Sequence, residues 1–246
     1  MKKKFVALFA LIVGVAVFLG GCVNSGISIN SVQGTGAMVT RSIDVDDFNG
    51  IEVGGSFNIV YRQAEETALT VVLHENLFEY LDVNTRGSNL HVGFSRGISI
   101  TDGNHPRLYV YAPYLRTAGF SGAVDAVDWD VIEGDSFRVN ASGAVNIDIE
   151  VIAARVEIDV SGAVNIALEL TTEELDLSAS GAADVVLSGS ADVIDVQGSG
   201  AFNLEGGDLL IGGGSIDVSG ASDVVLSSLA NVDISVSGAA RVRGAD

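Results

Sequence analysis

The chain has 246 residues, of which 32 are acidic and 13 basic, giving a formal charge of −19 at pH 7. Neutralising a phosphate backbone requires a basic surface, so this balance excludes a nucleic-acid binder and weighs against lying flat on anionic lipid. The only cysteine is Cys22, which excludes an internal disulfide.

The chain begins with Lys2, Lys3 and Lys4, then an apolar run from Phe5 to Leu19. A charged start and an apolar stretch too short for a comfortable membrane span read as a signal peptide. The run ends in Leu19-Gly20-Gly21-Cys22, the pattern of a bacterial lipobox, in which the cysteine thiol is lipidated and becomes the first mature residue. Residues 1–21 are therefore expected to be a lipoprotein signal peptide, with Cys22 as the lipidation site. Several acyl chains on one terminus hold firmly to a membrane where a single chain does not. Val23 follows the cysteine in place of Asp, which in a Gram-negative cell points to the outer membrane or the cell surface. All three lysines lie in the signal segment, so removing it takes the formal charge from −19 to −22. Residues 22–47 begin with Gly, Ser and Asn and read as a lipidated tether.

Residues 48–246 are expected to form one domain. In its first part, residues 48–120, Gly54-Gly55-Ser56-Phe57-Asn58-Ile59 looks like a decayed copy of a motif that recurs later as Ser199-Gly200-Ala201-Phe202-Asn203-Leu204. Leu69 to His74 reads as a strand and Asn76 to Leu81 as a helical turn. Asp82 to Phe94 reads as a hairpin turning near Arg86-Gly87-Ser88-Asn89, and Arg107 to Ala112 as a strand closed by Pro113. This stretch is expected to supply an irregular cap and first coils, since stacked units need an atypical end to shield their edge.

From residue 121 to 246 the chain is regular. Ser-Gly-Ala begins at Ser121, Ser142, Ser161, Ser180, Ser199, Ser219 and Ser237, at intervals of 21, 19, 19, 19, 20 and 18 residues. Such a period means one unit stacked on itself. Each unit alternates apolar and polar residues, as a strand with one buried face does. Glycine allows a corner that a residue with Cβ would resist. The spacing lacks the internal six-residue repeat of a hexapeptide helix and the nine-residue period of a calcium-binding roll. The fold class expected is all-β, a right-handed parallel β-helix with coils of about 19 residues.

Two polar columns follow from the alternation. Four residues before each serine stand Arg138, Glu157, Asp176, Asp195, Ser215 and Asp233; two before stand Asn140, Asp159, Ser178, Gln197, Asp217 and Ser235. Both are expected to face outward, as a solvated wall in preference to a cation-binding face. A third column, Asp125, Asn146, Asn165, Asp184, Asn203, Asp223 and Arg241, is expected to be a structural amide ladder at the corner.

Right-handed β-helices include polysaccharide lyases and hydrolases, which place unequal acids in a cleft walled by long loops. Here the coils are near minimal, the acids repeat instead of clustering, and the aromatics on the repeat are few: Trp129, Phe137 and Phe202. His74, His91 and His105 match no zinc-motif spacing, and Ser-Gly-Ala is not a nucleophile elbow. No catalytic, cofactor-binding or metal residue is expected. An enzyme of envelope polysaccharide is the alternative, and a groove beside Trp129 or the amino-terminal insertion, lined by unequal acids and aromatics, would favour it.

The order of these parts resembles the head GIN domain family of auto-transporter adhesins. The resemblance rests on Phe48-Asn49-Gly50-Ile51-Glu52-Val53, Phe57-Asn58-Ile59-Val60-Tyr61, Glu75-Asn76-Leu77, Leu90-His91-Val92, the strand Leu108 to Val110 leading to Pro113, and the repeated Ser-Gly-Ala-x-Asp/Asn. It covers roughly residues 45 to 240. It implies a right-handed parallel β-helix on a secreted or lipid-anchored envelope protein, and it carries over no binding residues. The expected function is a non-enzymatic binding or structural module of the cell envelope, working in adhesion. The partners expected are a membrane through Cys22 and an envelope or extracellular glycan or protein, with self-association as a third option.

Overall fold

Alternation of apolar and polar residues along nearly the whole chain makes it almost entirely strand. The computed structural model describes residues 30–101 and 106–245. Thirteen strands run in order: β1 Asn30–Gln33, β2 Met38–Ile43, β3 Gly50–Gln63, β4 Ala68–His74, β5 Leu81–Arg86, β6 Asn89–Phe94 and β7 Ile98–Thr101. After these come β8 Arg107–Ala112, β9 Thr117–Ala126, β10 Ile132–Val218, β11 Asp223–Leu226, β12 Val232–Val236 and β13 Arg241–Gly244. One 3-10 turn, Glu75–Tyr80, joins β4 to β5.

The repeats pair in parallel and in register. Gly122 of β9 lies opposite Gly55 of β3 on one side and Gly143 of β10 on the other. The 87 residues of β10 would span about 290 Å if straight. Instead the strand returns on itself once per repeat. A Cβ built on Gly162 would sit 2.6 Å from the Gly143 carbonyl oxygen, and one on Gly181 2.7 Å from that of Gly162. Gly200, Gly220 and Gly238 continue the same column, each with positive φ. At this corner an L side chain is excluded twice, by backbone conformation and by the repeat beneath.

Inward columns fill the interior. Three residues before the first six serines stand Ala118, Val139, Ile158, Leu177, Val196 and Ile216, all buried, whereas Ile234 in the last repeat is exposed. Three residues after stand Val124, Val145, Val164, Ala183 and Phe202, buried likewise. Ser222 takes the next place in that column. It is buried too, and its hydroxyl donates to the Ser219 carbonyl at 2.8 Å. Phe202 fits because Gly198 faces it within the same repeat: a Cβ on Gly198 would lie 2.2 Å from the ring. Where the first position is Val160, the second is Val164.

The amino-terminal part matches the expected elements closely, and it makes the sheet mixed. Strands β2 and β4, β4 and β8, and β5 and β6 pair antiparallel, whereas β3 pairs parallel with β6, β8 and β9. The sheet path runs from β13 to β2 and does not close into a barrel. The expected tether, residues 22–47, requires correction over its described part. Met38–Ile43 is hydrogen-bonded to β4, and Asn30–Gln33 pairs with β7. Val32, Ile43 and Val45 pack on the core, which supplies the apolar contacts a free tether lacks. Residues 1–29, with the expected signal peptide and Cys22, lie outside the described residues.

Two stability predictions follow from the packing. Gly162→Ala should lower stability by about 2 kcal/mol or more, since it combines strain with a backbone clash. Gly134→Ala, with nothing within 4 Å of the new methyl, should stay within about 0.5 kcal/mol of the parent in urea unfolding. Gly198→Val should cost about 1–3 kcal/mol by overpacking, and Phe202→Val a similar amount by leaving a void. The double variant rebuilds the Val160/Val164 arrangement. It should be more stable than Gly198→Val alone; strict additivity in a double-mutant cycle would refute the pairing.

Candidate functional site

An open groove of about 1210 Å³ crosses the strands on the side of the serine column. Its floor combines Ser142, Ser161, Ser180, Ser199 and Ser219 with the neighbouring column of Asn140, Asp159, Ser178, Gln197 and Asp217. The parallel register explains the alignment. Asn140 lies opposite Gly119, Gly119 opposite Glu52, and Glu52 opposite His91 of β6, which faces Asn84 of β5. One polar row therefore continues from the repeats onto the amino-terminal hairpin. From His91 to Asp217 it crosses eight strands, about 34 Å at ordinary strand spacing.

Most of this floor is free of internal bonds. Among the described residues, the hydroxyls of Ser161, Ser180 and Ser199 and the side chains of Asn140, Asp159, Gln197 and Asp217 have no hydrogen-bond or ion-pair partner. The hairpin end differs. His91 Nδ1 lies 3.2 Å from Glu52, and Asn89 donates to Glu52 at 3.1 Å. Phe94 stacks on Phe57 with centroids 5.1 Å apart and covers Gly55. Arg86 and Arg96 line the groove there without an ion pair among the described residues. Asn84 Oδ1 is buried without a partner, although its amide donates to Asp82 at 3.1 Å.

The column four residues before each serine does face outward, but arginines answer its acids. Arg138 contacts Glu157, while Arg155, a residue outside the expected column, contacts Glu174 and lies 3.0 Å from Asp176. No group of three or more metal-ligating His, Cys, Asp or Glu residues occurs among the described residues. Asp176 is the one acid of the column pushed above its ordinary range. Partial burial is the largest cause; Arg155 opposes it, while Glu174, Asp195 and Glu157 add to it.

The corner ladder forms as a bonded stack in its first rungs. Asn146 donates to Asp125 at 2.5 Å and Asn165 to Asn146 at 2.8 Å. Near the far end Arg243 lies 3.6 Å from Asp223.

Of the described histidines, His74 is buried with Nδ1 3.0 Å from the Gly36 carbonyl and His91 lies in the groove; His105 falls outside the described residues. None of the three singled-out aromatics lines the groove. Phe137 and Phe202 are core residues. Trp129 donates to the Ile59 carbonyl at 2.8 Å and packs on Tyr61 and Phe120. Tyr61, whose hydroxyl donates to the Ala112 carbonyl, is pushed up to about 12, first by burial and then by Asp130.

Asn84, Arg86, Phe94 and Arg96 were not expected at a site. A signal for them exists: Leu90-His91-Val92 repeats the apolar-polar-apolar step of Ile51-Glu52-Val53, which marks β6 as one more rung of the same row. Among the described residues, no helix is long and apolar enough to cross a membrane.

Fold and groove define an all-β repeat protein with an extended polar strip. The family model described as "Putative auto-transporter adhesin, head GIN domain" matches residues 47–245, and the chain belongs to that family. Three solved structures share the fold. A "putative adhesin" from Parabacteroides distasonis ATCC 8503 is 20% identical with a TM-score of 0.73, covering 88% of this chain and 100% of its own. A "putative lipid binding protein" from the same organism is 15% identical with a TM-score of 0.77 and the same coverage. A "putative adhesin" from Bacteroides fragilis NCTC 9343 is 19% identical with a TM-score of 0.66, covering 87% of this chain and 100% of its own. No curated protein matches.

The Asp176 shift has a definite sign. A carboxyl whose folded-state pKa is raised costs stability as pH climbs through the window above the ordinary Asp value of about 3.9. Asp176→Asn removes that loss. Its melting temperature relative to wild type should therefore be higher at pH 7 than at pH 3; the reverse order would refute the assignment.

Proposed function

We propose that the chain is a lipid-anchored protein of the bacterial cell envelope whose repeats form a right-handed parallel β-helix serving as a non-enzymatic binding module in adhesion. In this reading residues 1–21 are a cleaved signal peptide, Cys22 carries the lipid, and residues 23–29 tether the domain at the outer membrane or cell surface. The observation that carries the binding role is the groove itself. It is long, open and lined by repeating unpaired polar side chains, which suits an extended ligand. Membership of an adhesin family agrees with it.

A lipid ligand, suggested by the name of one structural neighbour, fits this chain less well, because an acyl chain needs an apolar channel and this floor is hydroxyl, amide and carboxylate. The enzymatic alternative draws on one observation: the groove does reach the amino-terminal hairpin, where Glu52, Asp82, His91 and Phe94 meet. Glycoside cleavage also needs two opposed carboxylates in the roles of acid and base or nucleophile. Glu52 is committed to His91 and Asn89, which leaves Asp82 without such a counterpart.

The test uses the full chain expressed in a Gram-negative host. Cys22→Ser should abolish incorporation of labelled palmitate and leave the chain at its uncleaved mass. Cells displaying the wild type should bind one class on an array of glycans and matrix proteins without releasing product over hours. Product release would move the assignment to the enzyme, and palmitate incorporation unchanged in Cys22→Ser would refute the anchor.

A further inference from the structure

We propose that the strip from His91 to Asp217 is the binding site for a neutral, linear, hydroxyl-rich polysaccharide lying across the strands. The proposal rests on the binding-module reading above and adds the site and the ligand class.

Three features point to this occupant. The first is periodicity. Successive repeats present equivalent groups at strand spacing, about 4.8 Å, which is comparable with the rise of an extended pyranose chain. A polymer with that rise meets one rung per sugar.

The second feature is the donor and acceptor inventory. Serine hydroxyls and the amides of Asn140 and Gln197 both donate and accept, and Asp159 and Asp217 accept only. Sugar hydroxyls supply both functions. The hydroxyls of Ser161, Ser180 and Ser199 and the side chains of Asn140, Asp159, Gln197 and Asp217 have no partner among the described residues, so a ligand's hydroxyls bond them without breaking internal contacts. At the hairpin end, the Phe94 ring borders the strip where it stacks over Phe57 and covers Gly55. It gives the apolar face of a sugar ring something to rest on.

The third feature is charge. Asp159 and Asp217 on the floor, within a chain of formal charge −19, repel a polyanion. A polycation is opposed by Arg86 and Arg96 at the hairpin end. Neutrality satisfies both ends.

The test is native affinity electrophoresis of the full chain, detergent-solubilised, through gels containing hydroxyethyl cellulose, mannan or dextran as neutral linear glycans. Polygalacturonate and chitosan serve as charged comparisons. At least one neutral glycan should retard the wild type. The Asn140→Ala, Gln197→Ala double variant should weaken that binding by about tenfold or more, because two rungs lose their amides. Ser180→Trp, which fills the strip from an exposed position, should abolish it, and Glu169→Ala, outside the groove, should leave it unchanged. Melting temperatures keep loss of binding distinct from loss of fold. Retardation only by a charged polymer, or by a neutral glycan with all variants unaffected, overturns the proposal. If no polysaccharide binds while a matrix protein does, this inference falls and the binding module stands. If nothing binds in either assay, both fall.

Discussion

The constraint on which the rest depends is the contact of each corner glycine with the glycine one repeat below. At Gly143, Gly162, Gly181 and Gly200 the nearest atoms to a built Cβ are the oxygen, nitrogen and carbonyl carbon of the previous glycine. Backbone lies directly on backbone at the corner, and nothing flexible is present to yield. This fixes the register of every repeat, and with it which side chains share a column. A slip of one residue would turn the buried columns outward and bury Asp159 and Asp217. The apolar columns then make the register worth keeping, because each repeat buries its inner face only against its neighbours.

Register also explains why the polar strip exists. A serine beside a stacked glycine points away from the core by alternation alone, and so does the residue two before it. Seven repeats therefore produce straight polar rows without any rung being individually positioned. What is individual is the amino-terminal end. There β6 enters the sheet beside β3 in the same register as the repeats, bringing His91 alongside Glu52. The last residues of the hairpin's two strands, Arg86 of β5 and Phe94 of β6, line the groove together with Arg96 just beyond β6.

The repeat region was legible because its signals are local and recur. The corner glycines, the outward columns, the amide ladder and the decayed first copy at Gly54-Gly55-Ser56 all follow from spacing, and β3 and β9 pair exactly across that copy. Three things were harder to read. Arg155 neutralises acids from a position outside any column, since a long side chain reaches across rows. The strands within residues 30–43 carry few apolar residues, so their composition resembles a tether; their hydrogen bonds to β4 and β7 are long-range and leave no local trace. The groove itself needed the hairpin's docking beside β3, whose one local trace is the Leu90-His91-Val92 step that repeats Ile51-Glu52-Val53.

A site built by repetition has a distinctive weakness and a distinctive strength. Identical rungs bind a repeating ligand in many shifted registers, so the repeats by themselves supply affinity along the row without fixing where the ligand starts. Positional discrimination must come from the rungs that break the pattern. Along the second column these are Asp159, Gln197 and Asp217 among smaller groups, and at the hairpin they are His91 with Glu52 and the ring of Phe94. Acceptors that cannot donate, set at fixed separations, reject any register that places an acceptor opposite them, because a buried unpaired acceptor costs about 1–3 kcal/mol. The same fold thus separates the two tasks by residue: stacked glycines and serines build the surface, and the few departures from the repeat decide how a ligand lies on it.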